Sequence, residues 1–176
     1  MELVQHAQTG HNALRGPYRV VPRSRRWMPR VLRPGSPLAD RINETVAGAL
    51  DPARIARLHA LGGWLRIEEG MTLFHFAYRP TRRGRVVEIG TFLGKSTAWM
   101  ATALQRAGAA DRIVAVDPHQ RLQAIEDVYD VREHQEQAQR TAALLGVPPE
   151  EITTRELFLD NMASLPMLCP PRRGCW

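Results

Sequence analysis

The stretch VVEIGTFLGKST, residues 86–97, sets an apolar run against two glycines and then the pair Lys95 and Ser96. Residues of these types in this order hold cofactors, and three chemistries compete for them. A phosphate loop needs G-x-x-x-x-G-K-[ST], so that successive backbone N–H groups curl around an anion. Here three residues separate Gly90 from Gly94, and Ile89 stands where the first glycine should be. The run RIVAVD, residues 112–117, does resemble the strand of such enzymes that ends in a metal-holding aspartate. Glu88 weighs against the reading, because a carboxylate at the strand end repels a triphosphate. A dinucleotide loop, G-x-G-x-x-G, needs a glycine at Phe92 and fails as well.

What remains is E-x-G-x-x-x-G. A ligand that carries a sulfonium, an amino group and a carboxylate, but no phosphate, tolerates Glu88 and needs only a close backbone approach. Glycine at positions 90 and 94 meets that need, since a Cβ there would stand where the ligand must lie. Asp117 ends the next apolar run, where a carboxylate accepts two ribose hydroxyls in dinucleotide folds. Two carboxylates flanking a glycine turn suit S-adenosylmethionine.

These residues need a frame. RVVEIG reads as a short buried strand, a helix follows from about Ser96 to Arg106 with a stop at Gly108, and RIVAVD is a second buried strand. Strand, helix and strand in so short a span make a βαβ unit with parallel strands. Before it, Asp51 and Pro52 open a helix with Ile55, Leu58, His59 and Leu61 on one face, closed by Gly62 and Gly63. A second amphipathic stretch, IEEGMTLFHFAYRP, aligns Ile67, Met71, Phe74 and Tyr78 ahead of Pro80. His59 and His75 read as packed or surface histidines rather than ligands. After RIVAVD comes a helix from about Arg132 to Leu145, and Thr153 with Glu156 forms a capping box for a last helix bearing Leu157, Phe158, Met162 and Leu165.

Taken together, VVEIGTFLGKSTAWMATAL followed by DRIVAVDPH resembles the class I S-adenosylmethionine-dependent methyltransferases, in particular the branch related to macrocin O-methyltransferases and cephalosporin hydroxylases. The resemblance covers about residues 60–162, with EEGMTLFHFA before the first strand and ELFLDNM after the second. It implies a Rossmann-like α/β fold of which the chain carries the N-terminal helices and the first βαβ unit. It makes Glu88, Gly90, Thr91 and Gly94 the methionine-side loop, Ser96 and Thr97 the helix start beneath it, Asp117 the ribose ligand, and His119 a residue shaping the adenosine pocket. The expected activity is methyl transfer to an oxygen of a small molecule. The catalytic base is left unassigned. A divalent metal occurs in some intact relatives, and its carboxylate ligands are not found here.

Composition bounds the rest. With 176 residues, 44% hydrophobic and 24% charged, the chain is of ordinary one-domain size and globular character, and no apolar run reaches the roughly 18 residues of a membrane span. The N-terminus lacks a secretory pattern, so a cytoplasmic protein is expected. Cys169 and Cys175 have neither disulfide nor zinc spacing. The net charge of +6 sits at the ends: residues 1–85 carry 15 basic and 6 acidic side chains, while residues 86–165 carry 7 and 12. The cofactor-like segment is therefore acidic, and a nucleic-acid partner is not expected. Residues 1–35, with seven arginines and four prolines in RGPYRVVPRSRRWMPRVLRPG, read as a disordered basic extension, a partner-binding arm, or sequence upstream of a start at Met28. Residues 36–165 read as the partial cofactor domain, and residues 166–176 as a tail without strand pattern. The expectation is a truncated, inactive copy, with homo-oligomerisation left open. The alternatives are a non-catalytic nucleotide or partner-binding module and a phosphate-loop fragment.

Overall fold

A computed structural model describes residues 35–78, 84–122 and 132–165. The basic extension before residue 35, the breaker Pro80, and the closing stretch from Pro166 with Cys169 and Cys175 lie outside the described residues. The chain divides into two compact units, Met1–Ile55 and Ala56–Trp176.

The first unit contains helix α1, Pro37–Ala49, which begins for local reasons. The Ser36 hydroxyl accepts from the Ala39 N–H at 3.2 Å, and Pro37 takes the position where a missing N–H costs nothing. Helix α2, Pro52–Ala60, spans the boundary of the units. Asp51 caps it as its sequence suggests, its Oδ1 accepting from the Arg54 N–H at 2.8 Å. Ile55 and Leu58 are buried, whereas His59 is exposed, having turned about 100° away from its neighbour.

In the second unit, helix α3, Ile67–Tyr78, packs against helix α4, Lys95–Arg106. Gly70 makes the close approach, since a Cβ there would lie 2.4 Å from the fully buried indole of Trp99. Strands β1, Val86–Ile89, and β2, Ile113–Val116, flank α4 in sequence and pair in parallel, from Val86 opposite Ile113 to Ile89 opposite Val116. The strand–helix–strand unit is thus present.

One expectation fails: β1 is not a buried strand, and β2 is buried only at Ile113. Val87, Ile89 and Val116 are 61%, 86% and 51% exposed. Side chains alternate across a strand, and α4 packs on one face of the sheet, so these three project to a face that the described residues leave open.

Helices α5, Arg132–Leu145, and α6, Thr154–Ala163, complete the unit, with short 3-10 turns at Ala110–Arg112 and Pro149–Glu151. Leu93, Leu122, Ala138, Ala142, Ile152 and Leu157 form a core cluster against which Phe92 and Val147 pack. The backbone after β2 is tied to α6 by the Thr154 N–H, which donates to the Gln120 carbonyl at 2.9 Å. The described residues form a mixed arrangement of helices about a small parallel sheet, compatible with a partial α/β methyltransferase fold.

Candidate functional site

Parallel pairing sets the site, because it brings the C-terminal ends of β1 and β2 together. The Gly90 N–H donates to the Val116 carbonyl at 2.9 Å and carries the register one step beyond β1, so Gly90 and Asp117 leave the sheet side by side. In open α/β sheets, ligands lie beyond this end of the strands.

Gly90 has φ of 83° and a hypothetical Cβ there meets nothing within 4 Å. The space above it is open, as a close-lying ligand requires. The chain then turns tightly: the Gly94 N–H donates to the Thr91 carbonyl at 2.7 Å, Phe92 takes φ of 49°, and Gly94 takes φ of 82° as the residue that opens α4. A positive φ is costly for Phe92, and a charge-assisted bond holds it there. Its backbone N–H donates to Asp117 Oδ2 at 2.8 Å.

At Gly94 the obstacle to a side chain is the protein itself rather than a ligand. A Cβ would lie 2.6 Å from the Phe158 ring and 2.9 Å from the Met162 methyl, both on α6. This glycine brings the loop onto α6.

Glu88 also has an internal role. Its two carboxylate oxygens accept from the Ser96 and Thr97 hydroxyls, which ties the end of β1 to the first turn of α4 and sets a negative charge at that helix's positive end. Asp117 is similarly engaged, Oδ1 accepting from the His119 N–H at 2.8 Å. A carboxylate offers about four acceptor positions, so capacity remains for two hydroxyls. His119 has φ of 47°, and its Nδ1 lies 3.2 Å from Thr154 Oγ1 and 3.5 Å from Asp117 Oδ1. Thr91 is buried, and its hydroxyl has no hydrogen-bond partner among the described residues.

The eight residues singled out in the sequence thus gather at one end of the sheet, in two groups: Glu88 with Ser96 and Thr97, and Gly90, Thr91 and Gly94 with Asp117 and His119. Lys95, the invitation to a phosphate loop, is buried, and its Nζ lies 3.4 Å from the Gly63 carbonyl. Ser96, the other half of that motif, is spent on Glu88.

Sequence reasoning missed the supports of the loop. Asn161 on α6 donates from Nδ2 to the Leu93 carbonyl at 2.8 Å in a buried bond. Trp64 stacks on Phe92 with ring centres 4.5 Å apart, and His134 meets Phe92 edge-on at 5.6 Å. Residue types gave no signal for contacts spanning up to 68 positions. Among the described residues, no group of three His, Cys, Asp or Glu side chains could hold a metal ion, and no helix is long and apolar enough to cross a membrane. No curated protein and no solved structure matches the chain. Residues 87–165, which carry this site from Glu88 to Asn161, match the family model described as a methyltransferase domain.

Proposed function

We propose that this chain binds S-adenosylmethionine at the C-terminal end of β1 and β2, as a methyltransferase of the branch related to macrocin O-methyltransferases and cephalosporin hydroxylases. The observation that carries the reading is the pairing of an open Gly90 with Asp117, whose carboxylate keeps acceptor capacity beside it. The match of residues 87–165 to the methyltransferase-domain model supports it independently.

The residues fit such a cofactor. Asp117 would accept the ribose hydroxyls, Gly90 would give room to the methionine part, and the buried Thr91 hydroxyl, without a hydrogen-bond partner among the described residues, would gain one. His119 would border the adenosine, its ring held by Thr154. Glu88 acts from beneath, by fixing the start of α4. The cofactor would supply an electrophilic methyl group, whose transfer to a deprotonated hydroxyl oxygen of a small molecule would form a C–O bond as the C–S bond breaks and S-adenosylhomocysteine leaves. This chain's contribution would be to position the cofactor for in-line transfer. None of the described residues is assigned as the base for that proton, so ligand binding is the property to test.

The phosphate-loop reading is the weaker one, since Lys95 is directed at Gly63 and Ser96 at Glu88. Calorimetry with the purified chain separates the two. S-adenosylhomocysteine should bind in preference to ATP with magnesium, and the reverse order would overturn the methyltransferase reading.

A further inference from the structure

The glycine loop has few means of holding its own shape. Its turn sets Phe92 at a positive φ, leads α4 in without a side-chain cap, and leaves the Leu93 carbonyl ahead of the helix's first hydrogen bond, which runs from the Ala98 N–H to Gly94. That carbonyl is buried and needs a donor from elsewhere. It finds one 68 residues away, in the carboxamide of Asn161.

Asn161 is 5% exposed and is itself held on its other side. Its Oδ1 accepts from Gln137 Nε2 on α5 at 2.8 Å, and the same Nε2 reaches Asp160 Oδ2 at 3.1 Å. The amide is therefore oriented: Oδ1 faces the α5 donor, and Nδ2 faces the loop. Phe158 and Met162, on the same helix, close against Gly94. Leu93 fills the core cluster below, so its carbonyl and its side chain are fixed from different directions. With Leu93 so held, the Phe92 N–H is presented to Asp117.

We propose that Asn161 is a positioning residue for the ligand loop: through the relay Gln137–Asn161–Leu93 it locks the turn that delivers the Phe92 N–H to Asp117 and so pre-shapes the adenosylmethionine site. The proposal rests on the cofactor reading above, and its lock is measurable without any ligand. Asn161→Asp keeps the acceptor for Gln137 and replaces the donor with a second acceptor, which turns an attraction to the Leu93 carbonyl into a repulsion. Gln137→Ala is the milder variant: it frees the Asn161 amide to rotate while leaving its donor in place.

The test uses the full chain and two readouts, amide hydrogen exchange at Phe92 and calorimetric affinity for S-adenosylhomocysteine. Gly70→Ala is the stability control, because it crowds Trp99 in the α3–α4 contact and touches no part of the relay. Asn161→Asp should lower protection of the Phe92 amide and ligand affinity by tenfold or more, and Gln137→Ala should lower both by a smaller factor. Gly70→Ala should lower the melting temperature while leaving Phe92 protection, relative to global opening, as in the parent. If Asn161→Asp cannot be folded, Gln137→Ala decides the matter by the same two measurements. Unchanged Phe92 protection in the relay variants, or an equal loss in the control, overturns the proposal. A parent chain that binds no S-adenosylhomocysteine overturns the cofactor reading instead, and amide exchange still judges the lock.

Discussion

Asp117 accepts the backbone N–H of Phe92 at 2.8 Å across 25 positions of sequence, so the loop after β1 and the end of β2 are one unit. Through its other oxygen it also holds the His119 N–H. The carboxylate thus shapes the site and, in the proposed function, also contacts the ligand.

Asp117→Ala should therefore do two kinds of damage. Loss of hydrogen bonds to a charged group costs about 1.5 to 3 kcal/mol each, from the affinity for S-adenosylhomocysteine where the ribose is the partner and from stability where Phe92 and His119 are. Calorimetry and urea denaturation should both register the change. Binding as tight as in the parent would remove Asp117 from the site.

Gly94→Ala should destabilise the fold, whether or not a ligand is bound. The new Cβ meets the Phe158 ring at a φ of 82°, and overpacking of this kind costs about 1 to 3 kcal/mol before the strain of the left-handed backbone is added. Combining it with Phe158→Leu should return part of the loss, because the smaller side chain vacates the contact. A double-mutant cycle with no coupling would refute the packing role.

Most of the elements, though not helix α1, were legible because their signals are local. Asp51, Thr153 with Glu156, and Gly108 each announce a helix end from neighbouring residues, and the structure puts helix boundaries at these places. Glu88, Gly90 and Asp117 could be picked out since strand ends in a βαβ unit converge whatever the rest of the chain does. The burial of β1 was misread for a definite reason. Val, Val and Ile describe a strand that prefers apolar cover, but whether a second layer lies on the sheet is decided by elements far away. Nor could the sequence tell that Glu88 bonds to Ser96 and Thr97, for a carboxylate eight residues from a hydroxyl has no fixed direction until the loop between them is folded.

Exposure of β1 yields its own prediction. Ile89→Thr should change stability by less than about 0.5 kcal/mol, as surface substitutions do. The same substitution in a strand covered on both faces would bury an unpaired hydroxyl and remove packing, at a cost of several times that amount. Urea midpoints of the two proteins decide between the cases. A large loss would mean that an element outside the described residues covers this face.

Among the described residues, two should contribute to a weakening of the fold by acid, each at its own stage. The His59 imidazole is held below its ordinary value of 6.5 by desolvation and then by the charge of Lys95, with Glu68 opposing. Below pH 6.5 the unfolded chain therefore takes up this proton more readily than the folded one, and stability present above 6.5 declines as pH falls toward the lower folded value. Its exposure on α2 keeps this first stage shallow. Glu156 is the second stage. Desolvation is the largest influence on it and raises its value, but the hydrogen bonds from the Thr153 side chain and backbone and from its own backbone, with the charge of Arg155, together outweigh that and hold it below 4.5. Its contribution is complete above pH 4.5 and is lost as pH falls through the depressed folded value, when the capping box of α6 loses its charged acceptor. His59→Gln should flatten the stability profile just below pH 6.5 and leave the deeper fall intact. Glu156→Gln should do the opposite, because it keeps the capping-box acceptor for the Thr153 N–H and removes its charge. Denaturant titrations from pH 3 to 8 on the three proteins check the assignment, and a His59→Gln profile that superimposes on the parent below pH 6.5 would take His59 out of it.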